Sequence, residues 1–134
     1  MCIMNEELIA ELKGYFETIR TIEKDITEDI QACNDYLIDL TTIQARANFL
    51  MAEYGKKLRE EKKQAYLTLS VSSAAQEKYF APSLARDYVN SLCHETAYIF
   101  DLSERLSRLI THTIDAMRTI ISSLKLERGH ATYQ

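Results

Sequence analysis

A chain of 134 residues that is 46% hydrophobic has the size of one domain and can bury a real but thin core. Glycine (3) and proline (1) are scarce, which excludes turn-rich folds and favours a few long helices. A net charge of −4 excludes a general attraction of the whole molecule for polyanions, so any nucleic-acid contact must come from a local patch.

Cys2, Cys33 and Cys93 are odd in number and lack CxxC spacing, which speaks against a disulfide scaffold and for a reducing compartment. The start, MCIMNEELIA, lacks a basic region followed by a long apolar run, and no stretch approaches the roughly 20 apolar residues of a membrane span. The expectation is a soluble cytoplasmic protein, of a bacterium or a phage-infected host.

In chain order, Leu8, Leu12, Tyr15, Ile19, Ile22 and Ile26 alternate spacings of four and three, which is a heptad seam. This predicts a first helix from about Asn5 to Ile22, weakened but not ended by Gly14. Asp25 is the expected cap of a second helix, with Glu28 reaching back to it, so a bend is predicted there. Continuation of the first helix into the second stays open, because the seam keeps its phase.

The second helix is predicted from Asp25 to Tyr66, with Ile30, Cys33, Leu37, Leu40, Ala47, Tyr54 and Leu58 along one stripe. From Leu67 to Ser83 a connector is expected, because LTLSVS alternates like a strand. It reads as a loop, or as a short strand that pairs only with another subunit. Ser83, after Pro82, is the expected N-cap of a third helix over 84–128. Its inner stripe includes Val89, Leu92, Ile99, Leu106, Ile110, Met117, Ile120 and Leu124, and Gly129 is expected to end it before a tail over 129–134.

The fold class is therefore all-α: an elongated, coiled-coil-like antiparallel hairpin of two long helices with a shorter N-terminal helix, in a single domain over 1–134. Each long helix is a rod of roughly 60 Å at about 1.5 Å per residue. A compact ball of this chain length has a radius of gyration of only about 14 Å. The rods exceed it, so remaining apolar surface is expected to be covered by other copies of the chain, making a homo-oligomer.

Two constellations carry chemistry. The first is YGKKLREEKKQAY, in which Lys56, Lys57, Arg59, Lys62 and Lys63 stand against Glu60 and Glu61 and run into Tyr66. Ammonium and guanidinium groups displace the counterions of a phosphate backbone, and a tyrosine offers a stacking face to an unpaired base. The alternative is a solvated helix end laced with Glu/Lys pairs. The second is a stripe on the far side of the third helix, Asp101, Arg105, Arg108, His112, Asp115 and Thr119. It reads as a polar subunit seam, as an anion site in which Asp115 orients His112, or as the wet face of an amphipathic helix.

Catalytic patterns are weak. Cys93 and His94 are neighbours on a helix and diverge by about 100°, so they form no thiol and base pair. Glu127 and His130 have ExxH spacing once, whereas a carboxylate di-metal site needs paired motifs on facing helices. The expectation is a protein without catalytic activity, metal or cofactor.

The segment KKLREEKKQAY at the end of the central helix, and Ile114, Ala116, Met117, Arg118, Ile120, Glu127 and Gly129 in the last one, resemble the UvsY-type recombination mediators of tailed phages. That resemblance implies a ring-like oligomer that binds single-stranded DNA and helps load a recombinase onto strands covered by a single-strand binding protein. It also implies strand contacts at Lys62 and Lys63 with Arg59 nearby. An oligomer seam is implied around Met117 to Leu124, with Ile110, Ile120 and Ile121. The competing expectation is a protein-interaction or assembly module that does not bind nucleic acid.

Overall fold

The computed structural model describes residues 3–24, 29–76, 79 and 81–133. Its elements are α1 (Ile3–Lys24), α2 (Ile30–Gln76), α3 (Pro82–Leu92) and α4 (His94–Tyr133), with no strand among the described residues. The all-α hairpin is present: α2, with 47 residues and a length of about 70 Å, packs along α4, with 40 residues.

Side-chain bonds give the directions. Gln44 donates to the Ser107 carbonyl and the Thr111 hydroxyl, while Gly55, further along α2, lies against the ring of Phe100, so α2 and α4 are antiparallel. The N-terminal α1 folds back along both. Asn5 lies beside Tyr54, Glu11 beside Arg46 and Glu23 beside Thr113, so α1 runs antiparallel to α2 and parallel to α4. The result is a body of three helices.

Its core is the predicted seams meeting: Leu12, Ile19 and Ile22 from α1, Cys33, Leu40, Ala47, Leu50 and Tyr54 from α2, and Ile99, Leu106, Ile110 and Met117 from α4. Beyond Asn5 the body thins to two helices, the end of α2 and the short α3. In α3 only Val89 is buried.

Several boundaries differ from expectation. No connector starts after Tyr66, since α2 continues to Gln76 and LTLSVS is helical. The period-two alternation misleads there because Leu69 joins the half-buried positions Lys62, Ala65 and Ser73, at helical spacing, while Leu67 and Val71 are exposed. Between Gly55 and Pro82 the sequence has no glycine or proline, so neither kind of breaker follows Tyr66 to end the helix there.

Ser83 is not a cap. Ala81 holds that position without a side-chain hydrogen bond, and Pro82 fills the first turn, where its missing N–H costs nothing. The predicted third helix is broken once, at Cys93 (φ −105°, ψ 10°), whose N–H is shared between the carbonyls of Val89 and Asn90. Beside it, the Ser91 hydroxyl donates to the Tyr88 carbonyl and His94 Nδ1 donates to that of Ser91, local bonds that compete with a regular helix. Gly129 does not end α4, which runs to Tyr133; a glycine costs a helix about 1 kcal/mol but does not forbid it.

The expected cap at Asp25 with Glu28 falls outside the described residues. At the observed start of α2, Asp29 does that work. Its carboxylate accepts the Gln31 N–H at 3.0 Å and its carbonyl accepts that of Cys33.

Candidate nucleic-acid interface

α2 carries its basic segment across the level where α1 stops, and helical geometry sorts the charges. Lys56, Arg59, Lys63 and Tyr66 follow one another by three, four and three residues, which puts them on one face. All of them are exposed, Tyr66 at 41%. Lys57 belongs to another side: its ammonium lies 5.3 Å from the centre of the Tyr54 ring, beside α1. Lys62 is half-buried towards the kink, close enough to Cys93 to act on its thiol. The segment is thus not one undivided patch.

No ion pair ties Lys56, Lys57, Arg59, Lys62 or Lys63 to a carboxylate among the described residues. Lys13, Arg86, Arg118 and Lys125 share this state among the described residues, whereas several arginines are paired. Arg46 pairs with Glu11 at 3.2 Å, Arg105 with Asp101 at 3.0 Å, and Arg108 with Glu104. Along the α2 face, Lys56 and Arg59 are three apart and Arg59 and Lys63 four apart, so like charges are neighbours and raise each other's demand for an anion.

Gly55 supplies the close approach at this level. A Cβ there would meet the Phe100 ring at 3.1 Å, with the Arg59 guanidinium at 3.6 Å. The missing side chain lets α4 press against α2 just where the basic face begins.

The second expected site does not assemble. Arg105 and Arg108 each turn back to an acid one turn earlier, and His112 and Asp115 are exposed with no hydrogen bond between them among the described residues. In the single chain the stripe is an exposed polar face, without the expected bond from Asp115 to His112. The expected oligomer seam is placed mostly inside the chain: Ile110 and Met117 are fully buried, Ile121 nearly so, and Ile120 and Leu124 half-buried. Ile110, Met117 and Ile121 are thus taken up by the core of the single chain, while Ile120 and Leu124 keep part of their surface.

Cys93 is buried, and burial pushes its thiol above the usual range, with Glu61 adding and Lys62 opposing. His94 is exposed and held by the Ser91 carbonyl, so it is no base for that thiol. Among the described residues no cluster of His, Cys, Asp or Glu is arranged to hold a metal ion, and no helix is long and apolar enough to cross a membrane.

Two hollows escaped the sequence. One, of about 540 Å³, lies between α1 and α2 and is lined by Met4, Leu8, Phe49 and Tyr54 with Glu7 and Glu53 at its rim. The other, of about 460 Å³, opens where α1 ends, between Asn5, Lys57, Gln64, Leu92 and Glu95. Both depend on where α1 lands, which no local spacing encodes. Comparison with known families, with curated proteins and with solved structures finds no match to this chain.

Proposed function

We propose that the protein is a non-enzymatic, oligomeric binder of single-stranded nucleic acid, working as a mediator that helps load a recombinase onto strands covered by a single-strand binding protein. The observation that carries the reading is the exposed α2 face on which Lys56, Arg59 and Lys63 form no salt bridge among the described residues, even with Glu60 between them, and lead to Tyr66. Phosphates neutralise the neighbouring cations, and the tyrosine ring takes a base face. Each subunit offers few contacts, so affinity comes from several subunits acting on one strand, which reconciles an acidic chain with a polyanionic ligand.

The test is fluorescence anisotropy of a labelled single-stranded oligonucleotide across a salt series. Each phosphate contact contributes about 0.7 to the salt slope of single-strand binding. Replacing Arg59 and Lys63 by alanine is expected to flatten the slope by about one to one and a half units. An unchanged slope removes this face from the proposal, and absence of binding at low salt leaves the alternative, a protein-assembly module. That second reading is favoured by one observation, the exposed apolar end of the hairpin at Leu67, Val71, Leu84, Tyr88 and Leu92.

A further inference from the structure

The groove that α1 fills does not end where α1 ends. On α2, the residues beside α1 include Arg46, Leu50, Tyr54 and Lys57. The same stripe continues at alternating spacings of four and three as Glu61, Gln64, Thr68, Val71 and Ala75. On the opposite wall, Leu109 and Leu102 of α4 pack on the core, and the positions one and two heptads earlier are Glu95 and Tyr88. Leu84 and Leu92 flank Tyr88 one turn to either side. The hollow between Asn5, Gln64, Leu92 and Glu95 is the mouth of this continuation.

Past that mouth no described residue occupies the third-helix position. Leu84, Tyr88 and Leu92 are 56%, 48% and 57% exposed, and Leu67 and Val71 are 51% and 70% exposed. Gln64 to Gln76 contains no charged residue, in a chain that is 27% charged. At the mouth, Glu95 Oε1 is buried with no hydrogen-bond donor among the described residues.

We infer that the hairpin end, α3 with α2 from Gln64 to Ala75, is a self-association surface on which a second copy of the same hairpin end docks about a two-fold axis to complete a four-helix bundle. This gives the oligomer of the proposed function a dimeric building unit, and it rests on that reading for its purpose. Three features select a second copy as occupant. The α2 wall carries no charge and on α3 Arg86 and Asp87 cancel, so the patch has no net charge by which to choose a charged partner, whereas the same hairpin end brings an equally balanced face. A two-fold contact requires a patch that is complementary to itself, and two open two-helix units fill each other's missing positions. The five exposed side chains present on the order of 600 Å² and, with the serines, threonine and alanine between them, approach the about 800 Å² per partner of a stable interface.

Sedimentation equilibrium without nucleic acid tests it, on the full chain and on the variants Val71→Glu, Tyr88→Glu and Ile38→Glu. Val71 and Ile38 are both largely exposed, so neither change endangers folding, which circular dichroism checks for all three. The expected result is association of the parent and of Ile38→Glu at micromolar concentration, with at least tenfold weaker association for Val71→Glu and Tyr88→Glu. A parent chain that stays monomeric at 100 micromolar, or folded Val71→Glu that associates as tightly as the parent, overturns the inference. Oligonucleotide binding is measured separately. Association through the hairpin end without DNA binding keeps this inference and discards the function, and DNA binding by a protein indifferent to Val71→Glu does the reverse.

Discussion

Tyr54 ties the first helix to the second. Its hydroxyl donates to Asn5 Oδ1 at 2.9 Å, and both residues are buried. Tyr54→Phe keeps the ring and the Lys57 contact but leaves the Asn5 oxygen short of its donor, which is expected to cost about 1 to 2 kcal/mol in urea unfolding. The amides of the first turns of α1 are expected to exchange faster in the same variant. Gly14 is the opposite case. It is exposed in mid-helix and a Cβ there meets nothing within 4 Å, so Gly14→Ala is expected to stabilise by about 0.5–1 kcal/mol. Thermal denaturation reads this as a rise of about 2 to 4 °C.

Cys93 gives stability a pH dependence at alkaline values. Its folded pKa is raised by burial, so the folded state holds the thiol proton longer than the unfolded chain does. That contribution is complete below the unfolded thiol's pKa and is lost as pH rises from there towards the folded pKa. Tyr15, raised by burial and by Glu11, acts in the same direction at higher pH. The urea midpoint is therefore expected to fall above about pH 8.5, less steeply in Cys93→Ala. A midpoint that is flat from pH 8 to 10 would contradict the buried placement of this thiol.

At the scale of elements, the apolar stripes were legible and the ends were not. Leu12, Ile19, Cys33, Leu40, Leu106, Ile110 and Met117 recur at heptad spacing in the sequence and are buried in the structure. Burial follows the helical period because each seam faces another. The boundaries failed where a local signal competed with propagation. Alternation in LTLSVS suggested a strand, and Gly129 suggested a stop, yet a helix already nucleated adds residues cheaply until something forbids the next bond. Cys93 interrupts the last helix without a glycine or proline, through the side-chain bonds of Ser91 and His94, and no spacing announces it.

The basic segment shows the same division. Lys56, Arg59, Lys63 and Tyr66 share a face by arithmetic, which the sequence permits anyone to compute. That Lys57 lies over Tyr54, and that Lys62 is half-buried within electrostatic reach of the Cys93 thiol, follows from where α1 and α3 pack. The single substitution Lys62→Ala is accordingly expected to change the anisotropy salt slope less than Lys63→Ala. Equal effects would mean the whole circumference of the helix meets the strand.

For the whole molecule, the all-α class, the two long rods and the residues that form their seams are written in the order of the amino acids, because helix periodicity is a local property repeated over many turns. That order also required that rods longer than a globule cover apolar surface somewhere. Only the tertiary structure decided where. The chain folds α1 back into the groove between α2 and α4, which places Ile110, Met117 and Ile121 inside one molecule and leaves α3 and the end of α2 without a third helix among the described residues. The reason is physical: heptad seams specify that a helix wants a neighbour but are nearly degenerate about which one, and that choice is made by chain connectivity and by a few polar contacts such as Asn5 with Tyr54 and Glu23 with Thr113.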